Sequence, residues 1–170
     1  MENQNKSRYI HEIYSFLLRL AAFVAIIWII FGVVFGITTM KNADMQPQIH
    51  AGDLMLYYRL GNSYIADDVV VVKQGGKEIT GRIVAVPGDR IEITEEHKLV
   101  INGNVVIEND IFYETLRYES DVKYPVKLGK DEYFILGDLR INAEDSRNIG
   151  AVNISHIKGK VISILRKNNI

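Results

Sequence analysis

The sequence contains no cysteine and carries almost no net charge. Without cysteine the protein has no disulfide bond, no thiolate metal site and no cysteine nucleophile. A formal net charge of −1 over 170 residues gives no electrostatic sign of a nucleic-acid partner. The histidines are scattered at His11, His50, His97 and His156, without the spacing of metal ligands. We therefore predict no metal site, no cofactor and no binding to nucleic acid.

Charged residues are also absent from a long stretch near the N-terminus, residues 20–40. As an α-helix, these 21 residues span about 30 Å of hydrocarbon at about 1.5 Å per residue. We predict a transmembrane anchor over residues 16–40, after a cytoplasmic N-terminus over residues 1–15. An extracytoplasmic domain then occupies residues 41–170, which makes the protein a single-pass protein of the cell membrane.

Two other interpretations of the apolar stretch fit less well. Few soluble cores need an all-round apolar helix of this length. A cleaved signal peptide usually has an apolar core of about 7–15 residues and a small-x-small cleavage site, which the exit sequence ITTM over residues 37–40 lacks. Lys6, Arg8 and Arg19 precede the apolar core, whereas only Lys41 follows it closely. The positive-inside rule therefore places the N-terminus in the cytoplasm.

The residues after the anchor predict a mainly β, antiparallel domain. Residues 99–107 form a hairpin, with the turn at Asn102-Gly103 or Gly103-Asn104, because Asn-Gly between apolar runs favours a type I′ turn. Helical periodicity is restricted to about residues 144–156. The other predicted strands are short and rich in β-branched or aromatic residues, and they cover residues 53–58, 69–72, 82–86, 90–93, 132–136 and 159–165.

Four motifs follow in a fixed order, and their combination is more specific than any one of them. They are residues 44–49 (DMQPQI), 52–57 (GDLMLY), 81–89 (GRIVAVPGD) and 137–150 (GDLRINAEDSRNIG). The combination resembles the type I signal peptidase family, whose boxes read S-M-x-P-T, G-D, K-R-x-x-G-x-P-G-D and G-D-N-R-x-N-S-x-D-S-R-x-x-G. The resemblance covers the anchor and nearly all of residues 41–165, and it implies a signal-peptidase-like β domain.

The departures from these boxes fall on the catalytic positions. The resemblance puts Asp44 at the nucleophilic serine, Gly81 at the lysine base and Ala143 at the serine that orients this lysine. A Ser–Lys pair works because a desolvated lysine readily loses its proton and can activate the hydroxyl. Asp44 has no hydroxyl, and Gly81 offers no base. Arg82 should face away from the site, since alternate strand residues point to opposite faces, and arginine stays protonated.

We therefore expect no active catalytic residue and interpret the chain as a pseudoenzyme. One alternative is a type I signal peptidase, a serine endopeptidase that removes signal peptides from secreted preproteins, working with a substituted site. An aspartic-protease pair would need a second carboxylate beside Asp44, and no sequence pattern marks one. A plain membrane scaffold without a binding groove is a further alternative.

The matching residues have structural interpretations. The resemblance assigns support of the former site to Arg82, Asp138, Arg140, Asp145, Ser146 and Arg147, and an Asp145–Arg147 ion pair is one expected element of that support.

A peptide groove could survive the loss of chemistry and bind an extended peptide beside a strand. We expect Gly81 to enlarge that groove by the volume of a lysine side chain. Asp44 would favour a cationic partner such as a lysine ammonium. The predicted binding residues are Asp44, Met45, Pro47, Ile79 and Ile83, of which the two isoleucines should share the face of Gly81.

Within the family, the chain is similar to inactive members encoded in streptococcal pilus gene clusters, which assist assembly of the major pilin. This resemblance implies a chaperone role at a Gram-positive cell surface, with a pilin or other secreted protein as partner beside a pilus sortase. Residues 109–130, with Tyr113, Tyr118 and Tyr124, are open to two interpretations. They either cover the groove or form a contact in a homodimer.

Overall fold

The computed structural model describes residues 2–166. Residue 1, in the predicted cytoplasmic segment 1–15, lies outside the described residues. Residues 167–170, in the predicted domain 41–170, also lie outside them. The chain begins with helix α1 (Glu2–Ile29), which continues as a π-helical turn over Ile30–Val34. Within the described residues, one helical segment is long and apolar enough to cross a membrane, namely the 26 residues Tyr9–Val34. The segment is compatible with the predicted anchor.

The helical segment ends earlier than the predicted boundary at residue 40, because strand β1 (Phe35–Thr39) follows directly. The β-branched residues Ile37, Thr38 and Thr39 favour this strand, which pairs antiparallel with β2 (Leu54–Tyr58). A Cβ on Gly36 would lie 2.2 Å from the ring carbon Cζ of Tyr57. Glycine is therefore needed for the tyrosine ring to lie across β1, and the end of the apolar run belongs to the sheet.

The rest of the described chain forms two antiparallel sheets. The larger has the order β1-β2-β11-β3-β4-β9-β10, and the smaller has the order β7-β6-β5-β8. Helix α2 (Ser146–Ile149) and a 3₁₀ turn (Ile154–His156) flank β10. The remaining strands are β3 (Val69–Gln74), β4 (Lys77–Ala85), β5 (Arg90–Ile93), β6 (Leu99–Ile101), β7 (Asn104–Val105), β8 (Val126–Lys127), β9 (Glu132–Leu136), β10 (Val152–Asn153) and β11 (Ile157–Leu165). The predicted fold class, an apolar N-terminal helix followed by a mainly antiparallel β domain, is confirmed.

Most predicted strands are close to the observed ones, but β4 begins at Lys77, five residues before the predicted start. Of the two predicted turn positions, the structure has Asn102-Gly103. Asn102 and Gly103 have φ values of 53° and 83°, the two successive positive values that a type I′ turn requires. Strands β1, β8 and β10 are additions to the prediction. The predicted helical region contracts to the four residues of α2 and the 3₁₀ turn.

Three apolar clusters hold the domain together. One contains Ile79, Ile83 and Ile135 and packs against one face of β4 and β9. A second, which includes Phe134, joins these strands to the smaller sheet. The third contains Met45 and lies beneath the segment that connects β1 and β2. These clusters fix the two strands and the loop that carry the substituted positions.

Candidate functional site

The substituted positions Asp44 and Gly81 both adjoin the C-terminal end of β9. The backbone carbonyl of Asp44 accepts a hydrogen bond of 2.8 Å from the amide of Leu139. A Cβ on Gly137 would lie 3.5 Å from Cβ of Asp44 and 2.6 Å from Cβ of Ala143. Gly81 lies in the neighbouring strand β4, where its Cβ would meet the Leu136 carbonyl oxygen at 3.1 Å. The structure therefore brings all three altered positions to one place.

The Asp44 carboxylate is half-buried and is held by neutral donors. Its Oδ2 accepts hydrogen bonds from the side-chain amide of Asn42 at 2.7 Å and from the backbone amide of Glu144 at 3.3 Å. Burial raises the pKa of Asp44, the two hydrogen bonds partly oppose that rise, and the nearby charges of Asp145 and Glu144 raise the pKa further. Asp44 thus joins its own loop to the fourth motif.

The expected enlargement of a groove at Gly81 is wrong. Gly81 is buried, and Cγ2 of Ile135 lies 2.6 Å from the point where a Cβ on Gly81 would be. Real Cβ atoms essentially never approach another heavy atom so closely. The volume of the family's lysine is therefore filled by an apolar side chain from β9, and a longer side chain at Gly81 requires Ile135 to move.

The structure separates the predicted binding residues by their burial. Asp44 is half-buried and Pro47 is exposed. Met45 and Ile83 are both 0% exposed, and Ile79 is 9% exposed. Ile79 and Ile83 share the face of Gly81, as expected, but they pack in the core beside Ile135 and do not form an open wall. A partner cannot contact the side chains of Met45 and Ile83 in this conformation.

The segments that lead to Asp44 and Gly81, residues 39–42 and 78–80, are held close together. The space between them is only about 10 Å³, which is the room of one water molecule. Glu78 closes the gap, because its carboxylate accepts hydrogen bonds from the hydroxyl of Thr38 at 2.6 Å and from Nζ of Lys158 at 2.8 Å.

Lys41 adds a third contact to Glu78, with its Nζ 3.9 Å from Oε1. Burial alone would raise the pKa of Glu78. The pKa is nevertheless lowered, because the hydrogen bonds from Lys158 and Thr38 favour the charged carboxylate. We call these four residues the Glu78 clasp. An extended peptide cannot pass between the two segments while the clasp is closed.

Open space lies next to Ala143, the third altered position. A depression of about 340 Å³ is lined by Tyr118, Ala143 and Glu144, together with Asn142 and Asn148. Glu144 carries the amide that binds the Asp44 carboxylate. The depression therefore borders the residue that holds the Asp44 carboxylate.

Arg82 points to the face of β4 opposite Gly81, as the strand alternation predicts. Its guanidinium binds the carboxylate of Asp138 at two points, Nε to Oδ1 at 2.8 Å and Nη2 to Oδ2 at 2.6 Å. It also donates a hydrogen bond of 3.0 Å to the backbone carbonyl of Asp67. Arg82 therefore ties β4 to the fourth motif and is not available to activate a nucleophile.

The expected ion pair between Asp145 and Arg147 is present and almost completely buried, with Nη2 2.7 Å from Oδ2. The carboxylate of Asp145 also accepts a hydrogen bond from the amide of Gly137 at 3.0 Å. Oγ of Ser146 accepts one from the amide of Ile135 at 3.0 Å. The fourth motif therefore fastens α2 to β9.

Arg140 is completely buried, and it binds Glu108 at 2.6 Å and Thr115 at 2.6 Å. Sequence reasoning assigned a supporting role to Arg140 but missed its partners, because both lie outside the motifs. Glu108 stands before the irregular segment 109–130, and Arg140 stands after it. These opposite charges are the sequence signal that could have suggested an ion pair.

Residues 109–130 pack over the two buried arginines. Tyr118 donates a hydrogen bond of 2.9 Å to the carbonyl of Arg140, and its ring centroid lies 4.0 Å from Cζ of Arg147. Ser120 donates one of 2.7 Å to the carbonyl of Arg147. The segment therefore covers the fourth motif, and Tyr118 also reaches the depression beside Ala143.

Comparisons with known proteins agree with this arrangement. The family described as "Signal peptidase, peptidase S26" matches residues 13–165. A signal peptidase I of Bacillus amyloliquefaciens is 29% identical over 119 residues, which cover 64% of this chain and 63% of that protein. A signal peptidase I of Bacillus caldolyticus is 30% identical over 142 residues, 75% of this chain and 78% of that protein.

The fold also resembles a solved structure. The crystal structure of a signal peptidase I from Enterococcus faecalis superposes with a TM-score of 0.50 at 20% identity, and the match covers 60% of this chain and 98% of that chain. At this identity the likeness concerns the fold alone. The chain spans just under two thirds of the B. amyloliquefaciens relative.

Proposed function

The chain belongs to the signal peptidase family, peptidase S26, and on that premise we propose that it is a catalytically inactive member that binds a secreted protein at the membrane surface. The main observation behind the proposal is that the Ile135 side chain occupies the space where a side chain on Gly81 would begin. Where the family resemblance calls for a lysine base, this chain has a glycine whose neighbouring space is filled by an isoleucine methyl group.

Lysines near the site do not compensate for the missing base. Lys158 binds Glu78, and this hydrogen bond raises the pKa of Lys158, with burial opposing the rise. A general base needs the opposite shift, toward neutral pH. Lys77 lies 2.5 Å from the carboxylate of Glu144 and forms an ion pair there. Asp44 has no hydroxyl to be activated, and its carboxylate accepts two hydrogen bonds that hold it in place.

The binding role is supported by what the domain retains. The fourth motif keeps its buried ion pair and its fastening to β9, so the site is a stable part of the fold. The depression beside Ala143 is open to solvent, and one of its lining residues, Glu144, binds the Asp44 carboxylate through its amide. We assign the contact with the partner to this surface and to the exposed Pro47.

The partner that we propose is a pilin or another secreted protein, with a pilus sortase close by. The similarity to inactive family members of streptococcal pilus gene clusters supports this assignment, and pilins are joined through lysine side chains, which suits the carboxylate of Asp44. We further propose a single membrane span with the N-terminus in the cytoplasm. The excess of Lys6, Arg8 and Arg19 over Lys41 supports this orientation.

A photo-crosslinking amino acid at Pro47 in intact cells tests the binding role, because Pro47 is exposed and three residues from Asp44. We expect a crosslink to a secreted protein. The same probe at Lys98, an exposed residue that is not among those lining the depression, is the matched control. Equal labelling at both positions, or a crosslink to no secreted protein, would contradict the proposed partner class.

The second candidate is an active type I signal peptidase. The identity of about 30% with Bacillus proteins named signal peptidase I favours it. A cleavage assay with the full chain in detergent and a preprotein carrying an Ala-x-Ala site separates the two candidates. We expect no turnover. Turnover by the unaltered chain that disappears in Asp44→Ala would establish the enzyme and refute the pseudoenzyme.

A further inference from the structure

A second cavity lies on the opposite face of β4 from Gly81, between the larger and the smaller sheet. Its volume is about 700 Å³, within the range of roughly 300–1,000 Å³ that is usual for ligand sites. One part of its lining is apolar and comes from both sheets, with Val84 on β4 and Ile101 on β6. We call this cavity the second cleft.

Carboxylates dominate the charge of the second cleft. Asp67, Asp89, Glu108 and Asp110 line it, against a single cationic side chain, Arg82. Arg82 is already bound to Asp138, and Glu108 is bound to Arg140. In the part of the chain that the structure describes, the other three carboxylates form no ion pair with a lysine, arginine or histidine. The charges of Asp67 and Glu108 also act on Arg82, but one guanidinium cannot neutralise all of these carboxylates, so the cleft carries an excess of negative charge.

The arrangement does not suit a metal ion. Within residues 2–166, no group of three or more His, Asp or Glu side chains is close enough to hold one. The carboxylates are instead spread along the cleft, with apolar side chains between them. Ile107 is 85% exposed at the lining, and Phe112, next to the lining residue Ile111, is 74% exposed. Large exposed apolar side chains beside a cleft are typical of an interaction site.

From this combination we propose that the second cleft binds an extended peptide segment in which lysine or arginine alternates with bulky apolar residues. The cations would lie against Asp67 and Asp110, and the apolar side chains would pack on Val84, Ile101 and Ile107. Asp44 is not among the residues that line the cleft, which borders the Asp44 loop only at Gln48. The proposal therefore stands whether the chain cleaves peptides or only binds them.

The test uses the full chain in detergent micelles and a short fluorescein-labelled peptide that alternates lysine with leucine, followed by fluorescence anisotropy. We expect saturable binding that weakens as salt is raised, since exposed charge pairs are screened. A peptide with glutamate in place of lysine, and one with serine in place of leucine, should bind much less. No saturable binding of the lysine–leucine peptide, or equal binding of the glutamate peptide, would overturn the proposal.

The double variant Asp67→Asn, Asp110→Asn removes two charges and keeps the shapes of the side chains. Asp67 has a φ of 72°, a conformation that asparagine tolerates well. We expect peptide affinity to fall by about twofold to thirtyfold, because two exposed charge pairs are lost. The matched control is Glu119→Gln, an exposed carboxylate outside the cleft.

Ile107→Ser tests the apolar part of the cleft without a risk to folding, because Ile107 is 85% exposed. We expect weaker binding of the lysine–leucine peptide and a smaller change for the lysine–serine peptide. If neither the double variant nor Ile107→Ser changes affinity, the peptide binds elsewhere and the proposal is wrong.

Discussion

The hydroxyl of Thr38 in β1 donates a hydrogen bond of 2.6 Å to the carboxylate of Glu78 in β4, although three other strands separate β1 and β4 in the order of the sheet. The larger sheet is therefore curved enough to bring its first and fifth strands together. Glu78 and its lysine partners close the gap that leads to Asp44 and Gly81. This contact is the first target for mutation.

Glu78→Gln should lower the free energy of unfolding by about 1 kcal/mol at neutral pH, because a largely buried carboxylate loses its charge-assisted bond to Lys158. Chemical denaturation measures the change. Since the pKa of Glu78 is lowered by folding, its contribution is present above the ordinary value of 4.5 and is lost as the pH falls below that value. The wild type and the variant should therefore converge in acid. A difference that persisted or grew in acid would contradict the role of this charge.

Asp44→Asn should raise the free energy of unfolding at neutral pH. Burial raises the pKa of Asp44, so the folded state binds a proton more tightly than the unfolded state, and the ionised carboxylate opposes folding. Asparagine can still accept the bond from the Glu144 amide without a charge. The gain should vanish as the pH falls below the ordinary value of 3.8. Chemical denaturation over a pH series measures both the gain at neutral pH and its loss in acid, with Glu119→Gln as the control. If Asp44→Asn were less stable than the wild type at neutral pH, the ionised carboxylate would not oppose folding.

Restoration of the catalytic residues alone should fail. The triple variant Asp44→Ser, Gly81→Lys, Ala143→Ser places a lysine where Ile135 already lies, and such overpacking typically costs about 1–3 kcal/mol. We expect a less stable protein without peptidase turnover. Addition of Ile135→Ala should recover part of the lost stability.

The coupling between the Gly81→Lys and Ile135→Ala substitutions is the sharper measurement. In a double-mutant cycle of unfolding free energies, residues in contact deviate from additivity by about 0.5–3 kcal/mol. We expect the two substitutions together to be less harmful than the sum of the single variants. Additive effects would show that Ile135 does not occupy the space of the lysine.

Glu108→Gln should destabilise the domain by about 2 kcal/mol, because it leaves the guanidinium of the completely buried Arg140 without a counter-charge. Thermal unfolding measures the effect. Glu114→Gln is the matched control, since Glu114 is an exposed carboxylate in the same irregular segment. Equal effects of the two substitutions would mean that the buried pair contributes nothing particular to the fold.

Much of the fold is predictable from local patterns. Short runs rich in β-branched or aromatic residues located β2, β5 and β9 nearly to the residue, and the Asn-Gly pair limited the hairpin turn to two neighbouring positions. The two-residue strands β8 and β10 carry too little pattern to be recognised. Strand β1 was hidden because its apolar sequence continues that of the helix, and the two structures differ there only through the pairing with β2.

The candidate site was predictable in its identities but not in its packing. The family resemblance assigns Asp44, Gly81 and Ala143 to the positions of the reactive residues. It did not show that Ile135 fills the space at Gly81, because that neighbour comes from a different strand and lies outside the motifs. The Glu78 clasp was missed for the same reason, since Thr38 and Lys158 meet Glu78 only after the sheet has curved.

The direct passage from the π-helical turn into β1 also restricts how the domain moves. Strand β1 starts at the residue after Val34, and the backbone amide of Arg59 donates a hydrogen bond of 2.9 Å to the Val34 carbonyl. The Arg59 side chain reaches Gly32 at 3.3 Å. There is no loose tether between these elements, so a tilt of the helix turns the first strands with it. The β domain therefore does not move independently of the helix, and the distance at which it can contact a partner is limited to the size of the domain.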